Sequence, residues 1–384
     1  MQRTYKRQRA AIGAAALAAA TAVASVMLIN QQAGADEEDP ADAVPAQECG
    51  GESNAVVDGS GGSYTTTNGG SEVYSGGDYL AAIQAGIDSL NPDRTEQESV
   101  VVNADGAIGG NHIGLPSHTS LSVCGTMDVG SSSGHGAIEA GGAQDVSIPH
   151  LNMTGNPYFG LRFFGMDGLH LGQINMELSG GLGIRFERDE AGSTDVSMDD
   201  VFVSGAGSHA VETWNIDGLE IGSVTARDVG ESGLLLQTTT NAHVGTVDGE
   251  NVATGTGYAT FRMANENGSQ NGDYSTNVQI DNVISRGGGR GIFCVSQSGG
   301  VNITNIDLAD NGNNSILIEN CYGVTIEGGT VNGGGEVRLA ARDEFANNRD
   351  ISITAEVNGT SVRESPCGEN VSWNISGDAS LDVC

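Results

Sequence analysis

From residue 160 onward the chain alternates apolar and polar positions in short bursts, separated by polar, glycine-rich turns. Eight bursts align with one another: GLRFF (160–164), GIRFE (183–187), AVETW (210–214), GLLLQ (233–237), YATFR (258–262), GIFCV (291–295), SILIE (315–319) and EVRLA (336–340). Their second positions follow one another at intervals of 23, 27, 23, 25, 33, 24 and 21 residues. Of the sixteen residues at positions two and four, fifteen are apolar, as an inward face with a period of two requires. A second alternating run follows most bursts, for example LEIGSV (219–224), VQIDNV (278–283) and VNITNI (301–306). Two short strands per repeat, a period of 20–30 residues and almost no helix predict a solenoid of parallel β-strands. The leucine-rich frame and the glycine–aspartate calcium nonapeptide, which share that period range, are both missing.

One helix interrupts this pattern. Leu80, Ile83, Ile87 and Leu90 are spaced three or four apart, Asp78 is placed to cap the N-terminus, and Pro92 stands just past the end. Upstream, residues 36–47 are acidic and 58–77 are rich in Gly, Ser and Thr, so 36–77 reads as linker. The first 35 residues read as a cleaved secretory signal: Arg3, Lys6, Arg7 and Arg9, then an Ala-rich apolar stretch, then Ala33-Gly34-Ala35. The domain expected to fold is therefore 78–384.

Composition changes the picture in three ways. A chain of 384 residues with 49 acidic and 16 basic side chains carries a charge of −33, which excludes a general nucleic-acid surface. Lys6 is the only lysine, so the mature chain is expected to carry twelve arginines against all 49 acids, about −37, and no lysine chemistry. Six cysteines in an exported chain suggest disulfides, with Cys49–Cys124 and Cys367–Cys384 as neighbours along the fold. Cys294 and Cys321 are left as a third pair or as buried thiols.

The helix segment AAIQAGIDSL (81–90), leading into VVVNADG (100–106) and then the repeats, resembles the pectin-lyase-like superfamily over about residues 78–360. The resemblance implies an all-β fold, a right-handed single-stranded parallel β-helix with a short N-terminal capping helix. It also implies an exported polysaccharide-active protein, although members of that superfamily range from lyases and hydrolases to adhesins, and fold alone does not choose among them.

Positions three and five of each burst point outward and stack from coil to coil. They gather Arg162, Arg185, Glu212, Phe164, Glu187, Trp214, Gln237 and Arg262 on one face. Aromatic faces cover the apolar side of sugars, and charged and amide groups hold hydroxyls, so a polysaccharide is the expected ligand. Glycosidic cleavage needs two carboxyls, one as acid and one as base or nucleophile. Glu187 and Glu212 supply such a pair, with Cα atoms expected roughly 8 Å apart, in the range of inverting enzymes. Arg185 is the third expected catalytic residue; with Arg162 it is expected to hold one glutamate ionised while burial beside Trp214 raises the pKa of the other. Arg162, Phe164, Trp214, Gln237 and Arg262 are expected to bind substrate.

Elimination is the alternative chemistry, with Arg162, Arg185 or Arg262 as base and calcium held by Glu187, Asp189 and Glu212. Hydrolysis needs no metal or cofactor. A non-catalytic glycan-binding or adhesin β-helix is the reading from another class. Asp199-Asp200 and Gly134-His135-Gly136 echo polygalacturonase elements, but in the wrong order and without their companions. Leu235, Phe293 and Leu317 form an outward apolar patch that needs cover, either from the 264–277 insertion or from a second subunit. No membrane contact is expected once the signal is removed, and the oligomeric state is left open.

Overall fold

The computed structural model describes residues 49–255 and 257–384. The expected signal peptide and the acidic stretch 36–47 lie outside the described residues. The described chain winds as a parallel β-solenoid of about 12 turns. Its walls are a 17-stranded sheet of mostly longer strands and a 12-stranded sheet of short ones; these are called the long and the short sheet below. The eight bursts are eight strands of the short sheet, which also gains Ile113–Gly114 and Gly136–Gly141 upstream, and Ser361–Glu364 and Ser380–Asp382 downstream.

Parallel strands need crossovers, and here each crossover is the next wall of the coil, so every strand stacks on its equivalent one turn away. The inward columns therefore run straight. Leu161, Ile184, Val211, Leu234, Phe261, Ile292, Ile316 and Val337 pair successively along the short sheet, and all are buried. Burying each such side chain contributes about 1.5–3 kcal/mol. Phe163 stacks on Phe186 with ring centroids 5.5 Å apart. Thr213, the single polar member of the expected inward set, is fully buried and satisfies its hydroxyl on the Thr239 hydroxyl at 3.0 Å.

Seven of the eight bursts stand in the expected register. The fifth is displaced: Phe261 rather than Ala259 pairs with Leu234, and Arg262 pairs with Leu235 rather than with Gln237. The slip is two residues, so inward and outward faces are kept. The cause is that Phe261 and Met263 both fill the core, whereas Ala259 and Thr260 are buried in the turn before the strand. Turn geometry is strict between coils. Gly205 adopts φ +68° and a Cβ there would lie 2.0 Å from the Leu178 carbonyl oxygen, so only glycine fits without rearrangement.

The Gly/Ser/Thr-rich stretch read as linker is ordered. Ala55–Ser60, Ser63–Asn68 and Ser71–Gly76 form antiparallel strands, and Ala55–Ser60 pairs in parallel with Glu98–Val102. Tyr64 and Thr66 point inward from this segment, and alternating threonines carry it as a strand although its composition resembles a linker. The helix Tyr79–Asp88 has Asp78 as its N-cap, accepting from the Ala81 amide at 3.0 Å. It buries Tyr79, Ala82, Ile83 and Ile87, and Thr66 donates to its Ala82 carbonyl at 2.8 Å.

All six cysteines are paired, Cys49–Cys124, Cys294–Cys321 and Cys367–Cys384. Three disulfides fit an oxidising compartment. No helix among the described residues is long and apolar enough to cross a membrane.

Candidate functional site

The outer face of the short sheet brings together most of the residues that the alternation singled out. Along its third column Glu139, Arg162, Arg185, Glu212, Leu235 and Arg262 pair in sequence, one per coil. The first four are linked through Glu187 into one chain of ion pairs. Arg162 donates from Nε to Glu187 Oε1 at 2.8 Å and approaches Glu139 at 3.4 Å. Arg185 bridges Glu187 Oε2, at 3.5 Å, and Glu212 Oε2. Glu187 and Glu212 thus share a face and flank one guanidinium.

Glu212 is the hub. It is only 6% exposed, and its Oε1 accepts from Trp214 Nε1 at 2.9 Å and from Gln237 Nε2 at 2.8 Å. Gln237 in turn accepts from Asn265 at 2.6 Å, so its amide is fixed. Burial alone would raise the Glu212 pKa, as the sequence suggested. Nearby His209, the Arg185 charge and the Trp214 hydrogen bond outweigh it, and the carboxyl is held below its ordinary value. The expectation of a raised pKa beside Trp214 is therefore reversed, because the indole enters through its N–H donor as well as its apolar surface.

A second hub stands beside the first. His209, 5% exposed, accepts the Ser232 amide N–H on Nδ1 at 2.9 Å. A donor aimed at Nδ1 leaves the proton on Nε2, which faces Glu231 at 3.1 Å and Glu212 at 3.9 Å. Burial lowers the His209 pKa against the pull of those two carboxylates, in keeping with a neutral ring. The Ser208 hydroxyl also donates to Glu231. The Tyr258 ring packs edge-on against His209 at 5.2 Å, its hydroxyl pKa raised by burial and by the Glu231 charge.

Aromatic groups frame the network. The Arg162 guanidinium lies over Phe164 at 5.2 Å and that of Arg185 over Phe159 at 5.8 Å. Tyr158, about half exposed, stands edge-on to Phe159. Trp214 is half-buried, with Arg188 over its ring at 5.7 Å. Two shallow depressions border the face. One of about 300 Å³ is lined by Leu115, Glu139 and Phe164, and one of about 290 Å³ by Asn265, Glu266 and Phe345.

Not every candidate belongs here. Asp189 is exposed and pairs with Arg188 at 2.9 Å. Among the described residues no three His, Cys, Asp or Glu side chains converge as a metal site would require. Asp199 and Asp200 lie on the long sheet, near His170 and Ser223. Arg262 is outward-facing but one column away from its expected neighbour Gln237. Glu139, His209 and Glu231 complete the network without having been chosen from sequence. Glu139 sits in a coil whose burst, GAIEAG, was too alanine- and glycine-rich to align, and the other two come from turns.

The outward apolar residues are covered within the chain. Leu235, Phe293 and Leu317 are at most 7% exposed and join Ala259, Ala264, Val295 and Ala340 in a second apolar cluster outside the solenoid core. No family model matches the chain, and neither does any curated protein or solved structure.

Proposed function

We propose that this protein is exported and acts on a polysaccharide, holding the chain along the outer face of the short sheet and cleaving glycosidic bonds there. One observation carries the reading. Charged, amide and aromatic side chains are partly desolvated and locked into one hydrogen-bonded network on this face, at a cost that a solenoid wall does not need to bear. Coils repeat at about 4.8 Å, close to the length of one sugar unit, so successive units would meet successive coils. Trp214, Phe164 and Tyr158 offer ring surface.

In hydrolysis Glu212, held ionised, takes the base role, and the more exposed Glu187 is left as the acid. A specific observation favours a second reading, a glycan-binding protein without turnover: both carboxylates are already bonded to arginines, and Glu212 also to Trp214 and Gln237. Elimination by Arg162 or Arg185 draws less support, since both guanidinium groups are spent on carboxylates, and of the three expected bases only Arg262 is without such a contact among the described residues.

The test is a polysaccharide panel assayed for new reducing ends and for the ultraviolet absorbance of an unsaturated product. Reducing ends alone mean hydrolysis, and both signals together mean elimination. Binding without either signal selects the second reading. If no glycan binds at all, the proposal fails.

A further inference from the structure

Nine of the twelve arginines among the described residues stand within 4 Å of a carboxylate, as expected in so acidic a chain. Arg94 lacks one but donates to Asn91, His118 and Thr119. Arg262 and Arg290 are different. Among the described residues Arg262 donates no side-chain hydrogen bond, and Arg290 makes one, to Asn314 at 3.3 Å. Arg262 Nε and Arg290 Nη1 are both shut off from solvent without a partner; Arg185 Nε and Arg338 Nε share that feature, but on guanidinium groups that hold a carboxylate elsewhere.

The two guanidinium groups share one support. Arg262 lies over the Phe293 ring at 5.2 Å and over Tyr258 at 5.1 Å, and Arg290 lies over Phe293 at 4.9 Å. Beneath them is the apolar cluster of Leu235, Ala264 and Phe293, which keeps water from one side. Stacked guanidinium faces leave their N–H edges as the groups still to be satisfied. The carboxylates that could neutralise Arg262, Glu212 and Glu231, are near enough to attract it but are bonded to other donors. Burial pulls both arginine pKa values down, and the Arg290 charge adds to the effect on Arg262. Two partly buried cations over one ring, attracted by Glu212, Glu231 and Glu319 but with no carboxylate in contact, are an arrangement that a bound anion completes.

We propose that Arg262 and Arg290 form an anion subsite that takes a carboxylate or sulfate group carried by an acidic glycan. The glycan part of the inference rests on the binding face proposed above. Arg262 stands two coils beyond Glu212 in the same outward column, so a chain crossing Trp214 would bring a later unit to this pair. The arginines then offset locally the repulsion that the whole protein exerts on an anionic polymer.

The experiment titrates wild type and Arg262→Gln/Arg290→Gln with sodium sulfate, sodium glucuronate and glucose, then with neutral, uronate-containing and sulfated oligosaccharides. Wild type should bind one of the two anions but not glucose, and prefer the matching acidic oligosaccharide at least tenfold over the neutral one. The double variant should lose that preference while melting no lower than wild type, because removing unpaired buried charge relieves strain. Whichever of glucuronate and sulfate binds identifies the substituent. Equal anion binding by wild type and variant overturns the subsite. Neutral glycans binding both proteins alike, with no anion effect, overturns it while leaving the glycan face intact. Arginine-dependent anion binding with no glycan of any class bound keeps the subsite and removes the glycan face.

Discussion

The two walls of the solenoid have the same backbone and opposite outer chemistry. On the long sheet the column Ser147, His170, Ser197, Glu220, His243 and Gln279 is polar and free of arginine, and all but Ser147 are at least partly exposed. On the short sheet the equivalent column is Glu139, Arg162, Arg185, Glu212, Leu235 and Arg262, with the charges of its first four members partly or fully buried and tied together through Glu187. The first wall carries its ion pairs toward its strand ends, where Arg227 and Arg286 meet Asp248 and Asp307 of the neighbouring coil. The second spends desolvation, along its third column, on charges that a serine or threonine would have avoided, and the proposed site rests on that excess.

Two histidines express the same contrast. His243 lies on the long sheet between Glu220 and Asp281, the latter at 3.0 Å, and these partners raise its pKa. His209 is buried on the other wall with a donor against Nδ1, and its pKa is lowered.

The largest expected effect comes from breaking the hub. Glu212→Ala leaves Trp214 and Gln237 without their acceptor and Arg185 with Glu187 alone, and should cost about 3–5 kcal/mol in chemical denaturation. Its counterpart on the other wall, Ser223→Ala, should stay within about 0.5 kcal/mol, since only an exposed bond to Asp200 is lost. Equal costs would erase the distinction between the walls. His209→Ala should cost less, about 1–3 kcal/mol, by orphaning the buried Ser232 amide.

Smaller but sharper is the pH dependence, read residue by residue from histidine NMR titrations. His209 should titrate below the ordinary value of about 6.5 and His243 above it. Because the folded pKa of His209 is depressed, its contribution to stability is present above the unfolded value and is lost as pH falls through the folded one. Glu212 acts in the same sense further down, below the ordinary carboxyl range. His243 runs the other way: its contribution is complete below the unfolded value and disappears as pH rises through its folded pKa. Both histidines shifting in one direction would contradict the contrast.

Much of this was legible in the sequence, and the limits have physical causes. A period of two fixes which residues face out, so the alternation alone places Arg162, Arg185, Glu187, Glu212, Trp214 and Gln237 on one surface. Arg262 was assigned to the right face but the wrong neighbour, since alternation is blind to a slip of two residues. His209, Glu231 and Tyr258 sit in or beside turns, where no periodicity dictates side-chain direction. Arg290 was passed over because it begins its strand and lies outside the repeated columns. The segment 58–77 was misread because threonine and serine serve both linkers and exposed strands.

The most direct test compares the walls in one assay. Polysaccharide affinity would be measured for wild type, Trp214→Ala on the short sheet and Thr225→Ala on the long sheet. The account predicts at least a tenfold loss for Trp214→Ala and wild-type affinity for Thr225→Ala. Undiminished binding by Trp214→Ala, or a comparable loss in Thr225→Ala, would contradict the assignment of function to the short sheet.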